Sequence, residues 1–116
     1  MRKLARSFCY AFAGFAAAIQ TETNWKMGIA ESLLVVAVAW YLQISSSDWL
    51  VVIIMIGLVL SAELFNSAIE KVVDILSPRQ HPQAKLAKDF AAAAVVVLVI
   101  VAAIVGSVIF VPYLSK

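Results

Sequence analysis

The chain has little charge, a single cysteine and a single histidine, and each shortage argues against a class of protein. Only 14% of its 116 residues are charged, too few to cover the surface of a water-soluble domain of this size. The net charge of +2, without a basic stripe, predicts no nucleic-acid partner. Cys9 alone cannot form an intramolecular disulfide, and together with His81 it cannot supply a set of zinc ligands.

The chain is instead rich in hydrophobic residues, and these indicate the fold class. They make up 64% of the chain, and the mean hydropathy is +0.98. A hydrocarbon core about 30 Å thick is crossed by about 20 helical residues. Apolar segments of roughly this length occupy about 27–46, 49–70 and 89–114. The sequence therefore predicts an all-α membrane protein with three transmembrane helices, forming a single domain over residues 1–116.

The N-terminal segment predicts a fourth helix, over residues 4–21, that does not cross the membrane. Phe8, Phe12, Phe15 and Ile19 repeat at helical spacing and collect on one face of it. Because the segment is too short to span and begins with basic residues, we predict an amphipathic helix on the cytoplasmic membrane surface. A basic start, an apolar stretch and small residues also resemble a cleavable signal peptide, which is the alternative.

Basic residues are concentrated on one side of the predicted spans. Eight of the nine lysines and arginines precede the first span or lie between the second and third, where Pro78 and Pro82 interrupt the helix. The loop at 45–48 has none, and Lys116 stands alone at the C-terminus. The positive-inside rule therefore puts the N-terminus and the loop at 71–88 in the cytoplasm, and the C-terminus outside.

The second span carries an unusual set of polar side chains. An acid in lipid costs on the order of a few kcal/mol, so a span with acids must turn them toward protein or a hydrated cleft. Carboxylates bind hard cations such as Mg²⁺, and two lysines of the loop at 71–88, Lys85 and Lys88, could hold phosphate oxygens. Helical spacing puts five residues, the polar stripe, on one face: Glu63, Asn66, Ser67, Glu70 and Asp74.

Spacing alone leaves several interpretations of this stripe open. It could be a polar network that only joins helices, or Glu63 could be the proton or cation site of a small transporter subunit. The small-residue third span could also belong to a non-catalytic assembly protein. Glu22, near the cytoplasmic interface, could join a site there or do nothing, and Glu31 could be functional or simply pair with Lys26.

The sequence AELFNSAIEKVVD (62–74), followed by AKLAKD (84–89) and a small-residue helix, resembles the prokaryotic diacylglycerol kinase family, whose Gram-positive members are largely undecaprenol kinases. The resemblance covers essentially the whole chain. It implies a homotrimer in the bacterial plasma membrane, with sites between protomers, that transfers the γ-phosphoryl group of ATP to a lipid hydroxyl. The chain lacks the GxxxxGK(S/T) phosphate loop, so it does not resemble a conventional kinase.

The family motif implies a role for each matching residue. Glu63 would be the base that receives the lipid hydroxyl proton, and Asn66 would position the reacting groups. Glu70 and Glu22 would hold Mg²⁺ bound to the ATP phosphates. The remaining nucleotide contacts would come from Tyr10, Asp74, Lys88 and Asp89.

Two features favour undecaprenol as the acceptor, with diacylglycerol as the alternative. The segment SPRQHPQAK (77–85) resembles the undecaprenol kinase branch of the family. Diacylglycerol carries two esters that a binding groove would be expected to hydrogen-bond, yet the first and third spans offer few donors beyond Ser32.

Overall fold

A computed structural model describes residues 1–77, 79 and 81–115 of the chain. These residues form four helices and no strand. The helices are α1 (Arg2–Thr21), α2 (Thr23–Leu42), α3 (Ser46–Leu76) and α4 (Pro82–Leu114). Helices α2, α3 and α4 are long and apolar enough to cross a membrane. The predicted fold class, three transmembrane helices with an additional N-terminal helix, is confirmed.

Helices α1 and α2 meet at a single residue, Glu22. Its extended backbone (φ −104°, ψ 98°) ends one helix and begins the next, so α2 starts before the span expected at 27–46. Buried Ala18 and the stacked rings of Phe15 and Trp25, with centroids 6.1 Å apart, hold the two helices together. The apolar face of α1 is otherwise exposed, with Phe12 67% accessible, as expected for a helix that lies on a membrane.

The connection between α2 and α3 is shorter than the loop predicted at 45–48. Gln43 ends α2 in the left-handed conformation (φ 52°, ψ 55°). The side chain of Ser45 then accepts a hydrogen bond from the backbone N–H of Asp48 (3.2 Å) and caps α3. Because of this cap, the segment 46–48 forms the first turn of α3, where the charge of Asp48 also complements the helix dipole.

The connection between α3 and α4 is closed by His81 and Pro82. His81 Nδ1 accepts a hydrogen bond from the backbone N–H of Gln83 (3.1 Å) and so caps α4. Pro82 follows at the first helical position, where a missing N–H costs nothing. His81 therefore has a structural role as the N-cap of α4. The predicted break at Pro78 lies outside the described residues, as does Lys116.

The buried core is small and lies near the C-terminal ends of α2 and α4 and the N-terminal end of α3. It consists of Ala39, Ile44, Val52 and Ile109, and α3 packs more extensively against α4 than against α2. Most large apolar side chains of the spans are exposed in the single protomer. Lipid, or further protein, is the environment in which such a surface is stable.

Candidate active site

A polar cavity of about 450 Å³ lies between α2 and α3, at the junction of α1 with α2. It brings together residues that are far apart in the sequence, since α2 supplies one wall and α3 the other. Four of the five residues of the polar stripe line it, as the helical spacing predicts. Its acidic and stripe residues are Glu22, Glu31, Glu63, Asn66, Ser67 and Glu70.

Two side-chain oxygens in this cavity are buried without a hydrogen-bond partner among the described residues: Glu63 Oε2 and Asn66 Oδ1. Asn66 Nδ2 donates a hydrogen bond to Oε1 of Glu70, one helical turn further along α3 (3.3 Å). This bond fixes the orientation of the Asn66 amide. Buried acceptors are usually paired in folded proteins. These two oxygens are therefore suited to accept hydrogen bonds from a bound molecule.

A second, apolar cavity of about 270 Å³ lies between α2, α3 and α4. Its walls are mostly aliphatic, with Val35, Val52, Ile56, Val99, Val105 and Ile109 among the lining residues. Gly28, Glu31 and Glu63 line both this cavity and the polar one. The Glu63 carboxylate thus lies where an apolar space within the membrane-spanning helices meets a polar space.

Asp74, the fifth residue of the stripe, does not line the polar cavity. It forms an ion pair with Lys88 of α4 at a third, basic cavity of about 350 Å³, which Arg79 and Lys85 also line. The reason is axial position: α2 begins at the level of Lys71, and Asp74 lies about 6 Å further along α3 than Glu70. Beyond the start of α2, the stripe faces α4.

Two predicted nucleotide contacts lie outside the polar cavity as well. Asp89 accepts a hydrogen bond from Lys85 Nζ (2.7 Å), one turn earlier on α4. Tyr10 is 71% exposed on α1 and lines none of the three cavities. The single protomer thus brings Glu22, Glu63 and the residues near them together, but not Tyr10.

The two carboxylates expected to bind Mg²⁺ line the same cavity. Glu22 Oε1 accepts a hydrogen bond from Lys71 Nζ (2.9 Å), and Glu70 is held by Asn66. Among the described residues, no three acidic, histidine or cysteine side chains are grouped to hold a metal ion. Because Mg²⁺ at phosphate sites commonly takes one or two carboxylates plus phosphate oxygens and water, this donor set fits a cation that arrives with ATP.

Two residues of the site were not predicted from the sequence. In the sequence, Lys71 is only one of the basic residues in the loop at 71–88, and nothing there shows that its side chain reaches Glu22. Gly28 is buried beside Glu63. A glycine inside an apolar helix is a weak signal of close approach, because glycine destabilises a helix interior, but its partner cannot be read from spacing.

Residues 9–110 match the prokaryotic diacylglycerol kinase family. Over 114 residues the chain is 35% identical to the undecaprenol kinase of Bacillus subtilis, covering 98% of this chain and 93% of that protein. It is 37% identical over 107 residues to the diacylglycerol kinase of Synechocystis sp., covering 91% of this chain and 61% of that protein. It is 35% identical over 95 residues to the diacylglycerol kinase of Escherichia coli K12, covering 82% of this chain and 78% of that protein. The transporter and assembly interpretations are therefore set aside, and the chain belongs to the prokaryotic diacylglycerol kinase family as an ATP-using lipid kinase of a bacterial membrane.

Proposed function

We propose that the protein transfers the γ-phosphoryl group of Mg²⁺-ATP to the hydroxyl of undecaprenol at the cytoplasmic face of the plasma membrane. The position of Glu63 at the meeting point of the apolar and polar cavities carries this proposal. A lipid chain in one cavity and nucleotide phosphates in the other would meet at this carboxylate. The lipid then reacts without leaving the bilayer. The similarity to a relative named undecaprenol kinase supports the choice of acceptor.

Glu63 serves as the general base in this proposal. Its unpartnered Oε2 accepts the proton of the lipid hydroxyl while the hydroxyl oxygen bonds to the γ-phosphorus and the bond to the β–γ bridging oxygen breaks, releasing ADP. Asn66, oriented by its hydrogen bond to Glu70, helps to position the reacting groups beside Glu63. Mg²⁺ held by Glu22 and Glu70 would neutralise phosphate charge.

The nucleotide extends from Glu70 toward the basic cavity. Lys88 neutralises phosphate charge there, and Asp74 and Asp89 hold Lys88 and Lys85 through the ion pairs observed. Tyr10 contacts the adenosine. Since Tyr10 lines none of the cavities of its own protomer, this contact requires a movement of α1 or a neighbouring protomer.

The proposed assembly is a homotrimer with sites between protomers, each a single kinase domain. The large exposed apolar surface of α2, α3 and α4 supports an assembly, because neighbouring protomers could cover part of it within the bilayer. The proposed topology has the N-terminus and residues 71–88 in the cytoplasm and the C-terminus outside. This arrangement puts the polar and basic cavities on the side where ATP is found.

The lining of the apolar cavity favours a polyprenol over diacylglycerol. Among its described lining residues, only Glu31, Ser32 and Glu63 have polar side chains. The hydroxyl of Ser32 donates to the backbone carbonyl of Gly28 (2.7 Å), so it is not available to an ester of the substrate. Undecaprenol needs no such donor, because it has one hydroxyl and a hydrocarbon chain.

A lipid panel tests both the activity and the acceptor. Purified protein is given Mg²⁺, labelled ATP and either undecaprenol, diacylglycerol or ceramide in mixed micelles, and the rate of label transfer to each lipid is measured. The Glu63→Gln variant is the matched control for contaminating kinases. We expect the highest kcat/KM for undecaprenol. A clear preference for diacylglycerol would overturn the acceptor, and no transfer to any of the three lipids would overturn the proposed reaction.

A further inference from the structure

Gly28 is the one glycine in the described chain that another helix approaches closely. A Cβ atom built on Gly28 would lie 2.9 Å from Glu63 Oε2 and 3.1 Å from Cδ2 of Leu60, and separations below 3.0 Å are essentially never seen for real Cβ atoms. The same atom built on Gly14, Gly57 or Gly106 would meet nothing within 4 Å. The Glu63 carboxylate therefore packs against α2 at a point where a side chain is missing.

The surroundings of Gly28 hold α2 and α3 at this separation. Trp25, buried one turn before Gly28, donates from Nε1 to the backbone carbonyl of Leu60 (3.1 Å), one turn before Glu63. One turn after Gly28, the hydroxyl of Ser32 donates to the carbonyl of Gly28 itself. Because the Trp25 hydrogen bond joins α2 to the backbone of α3, the movable atoms near Gly28 are those at the ends of the Leu60 and Glu63 side chains.

We propose that Gly28 is a positioning residue for Glu63. The absence of a side chain lets the carboxylate lie against α2, at the level where Gly28 and Glu63 line both cavities. An alanine at this position would push the carboxylate away and leave the helices in place, because the nearest atom is the end of a flexible side chain and alanine favours the helix more than glycine does. The inference rests on the proposed role of Glu63 as the base.

The first experiment compares two glycine-to-alanine variants of the full-length protein. In Gly28→Ala, kcat should fall about 10- to 100-fold while the KM for ATP stays within about twofold, since a displacement on the order of 1 Å is enough to cost that much rate. Gly57→Ala, the control in open space on α3, should keep the wild-type kcat. A Gly28→Ala enzyme with the wild-type rate, or equal losses in both variants, would overturn the inference.

A double-mutant cycle separates positioning from simple packing. Glu63→Asp shortens the side chain by one methylene, so the carboxylate no longer reaches the Cβ of an alanine at 28. If Gly28 acts through Glu63, Gly28→Ala should cost less than about twofold in the Glu63→Asp background. The same 10- to 100-fold loss in both backgrounds would show that Gly28 only packs, and would overturn the inference.

A chemical probe reports on the carboxylate without relying on kinase activity. Dicyclohexylcarbodiimide modifies carboxyl groups within membrane proteins, and its rate at Glu63 can be followed by mass spectrometry of the peptide. The rate should rise several-fold in Gly28→Ala and stay constant in Gly57→Ala, because the displaced carboxylate is no longer shielded by α2. An unchanged rate in Gly28→Ala would overturn the inference. A raised rate in a protein that phosphorylates no lipid would refute the proposed function and retain the positioning of Glu63.

Discussion

The ammonium group of Lys71 lies 2.9 Å from Oε1 of Glu22, at the junction of α1 and α2. This ion pair connects residues 49 positions apart in the chain and joins the C-terminal part of α3 to the start of α2. Glu22 is also one of the two carboxylates proposed to hold Mg²⁺. In the structure, the ammonium group of Lys71 therefore pairs with a carboxylate that the proposed Mg²⁺ would also bind.

Removal of this charge should make Mg²⁺ binding easier. In Lys71→Gln, the Mg²⁺ concentration for half-maximal activity at saturating ATP should fall about two- to fivefold, because the cation no longer competes with an ammonium group. The thermal midpoint should change little, since exposed ion pairs contribute little to stability. Activity assays across a Mg²⁺ titration measure the effect.

The control for that titration is Lys26→Gln, which removes an exposed lysine from the same end of α2. It should leave the Mg²⁺ dependence at the wild-type value. A Lys71→Gln enzyme that needs more Mg²⁺, or more ATP, than the wild type would instead show that Lys71 binds phosphate.

Relations along one helix could be predicted from the sequence, whereas relations between helices could not. Glu63, Asn66 and Glu70 line one cavity as expected, because helix geometry fixes the angle between residues of one helix. Asp74 shares that angle, yet it pairs with Lys88. Asp74 faces α4 because it lies beyond the level at which α2 begins. The periodicity of a sequence carries no information about the level at which a neighbouring helix begins.

The same distinction holds for the fold. Apolar length predicted the three long helices, because the bilayer sets a minimum length. The ends of these helices depend on local hydrogen bonds. The Ser45 cap is an example, because it makes three residues of the loop predicted at 45–48 part of α3. The close approach at Gly28 depends on how α2 packs against α3. The sequence shows that position 28 is a glycine, but it does not show which residues of the other helix lie against it.

Loss of the proposed base should lower turnover and leave nucleotide binding intact. Glu63→Gln keeps the size of the side chain but cannot accept the hydroxyl proton, so kcat should fall by about two to four orders of magnitude. Binding of Mg²⁺-ATP, measured by calorimetry, should be close to that of the wild type. Glu31→Gln, the same change at a neighbouring carboxylate of both cavities, should cost less than about tenfold. Equal losses of kcat in Glu63→Gln and Glu31→Gln would show that Glu63 is not the base.

Glu70→Gln should give a different profile, since it removes a proposed metal ligand. The apparent affinity for Mg²⁺ should fall about tenfold or more, and KM for ATP should rise together with the loss of kcat. Raised Mg²⁺ should restore part of the activity of Glu70→Gln and none of that of Glu63→Gln. If neither variant responds to Mg²⁺, the ligand role of Glu70 is wrong.

The proposed topology predicts which residues an impermeant maleimide can reach. The background is Cys9→Ser, because the native cysteine is exposed. In it, Ser46→Cys should be labelled on intact cells, and Gln83→Cys only after permeabilisation. Both side chains are exposed, and neither takes part in the helix caps formed by Ser45 and His81. Labelling in the opposite pattern would place the cavities away from cytoplasmic ATP.

The N-terminal end of α3 and the C-terminal end of α4 are joined by a hydrogen-bond network that should affect stability and not catalysis. The Tyr113 hydroxyl accepts a hydrogen bond from the backbone N–H of Ser45 (3.0 Å) and donates one to Asp48 Oδ2 (2.7 Å). Tyr113→Phe leaves these groups without that partner, which should cost about 1–2 kcal/mol and lower the thermal midpoint by several degrees. Asp48 lies about 22 Å along α3 from Glu63, so kcat per folded molecule should stay at the wild-type value.

Tyr41→Phe is the matched control for this last prediction, because Tyr41 is 84% exposed near the same end of the bundle. It removes the same hydroxyl and should leave the midpoint unchanged, since an exposed tyrosine hydroxyl exchanges its partners with solvent. Thermal unfolding in detergent, followed by circular dichroism alongside the kinase assay, measures both quantities. Equal midpoints for Tyr113→Phe and Tyr41→Phe would mean that the network adds no stability. A lower kcat in fully folded Tyr113→Phe would mean that the contact between the start of α3 and the end of α4 controls the geometry at Glu63.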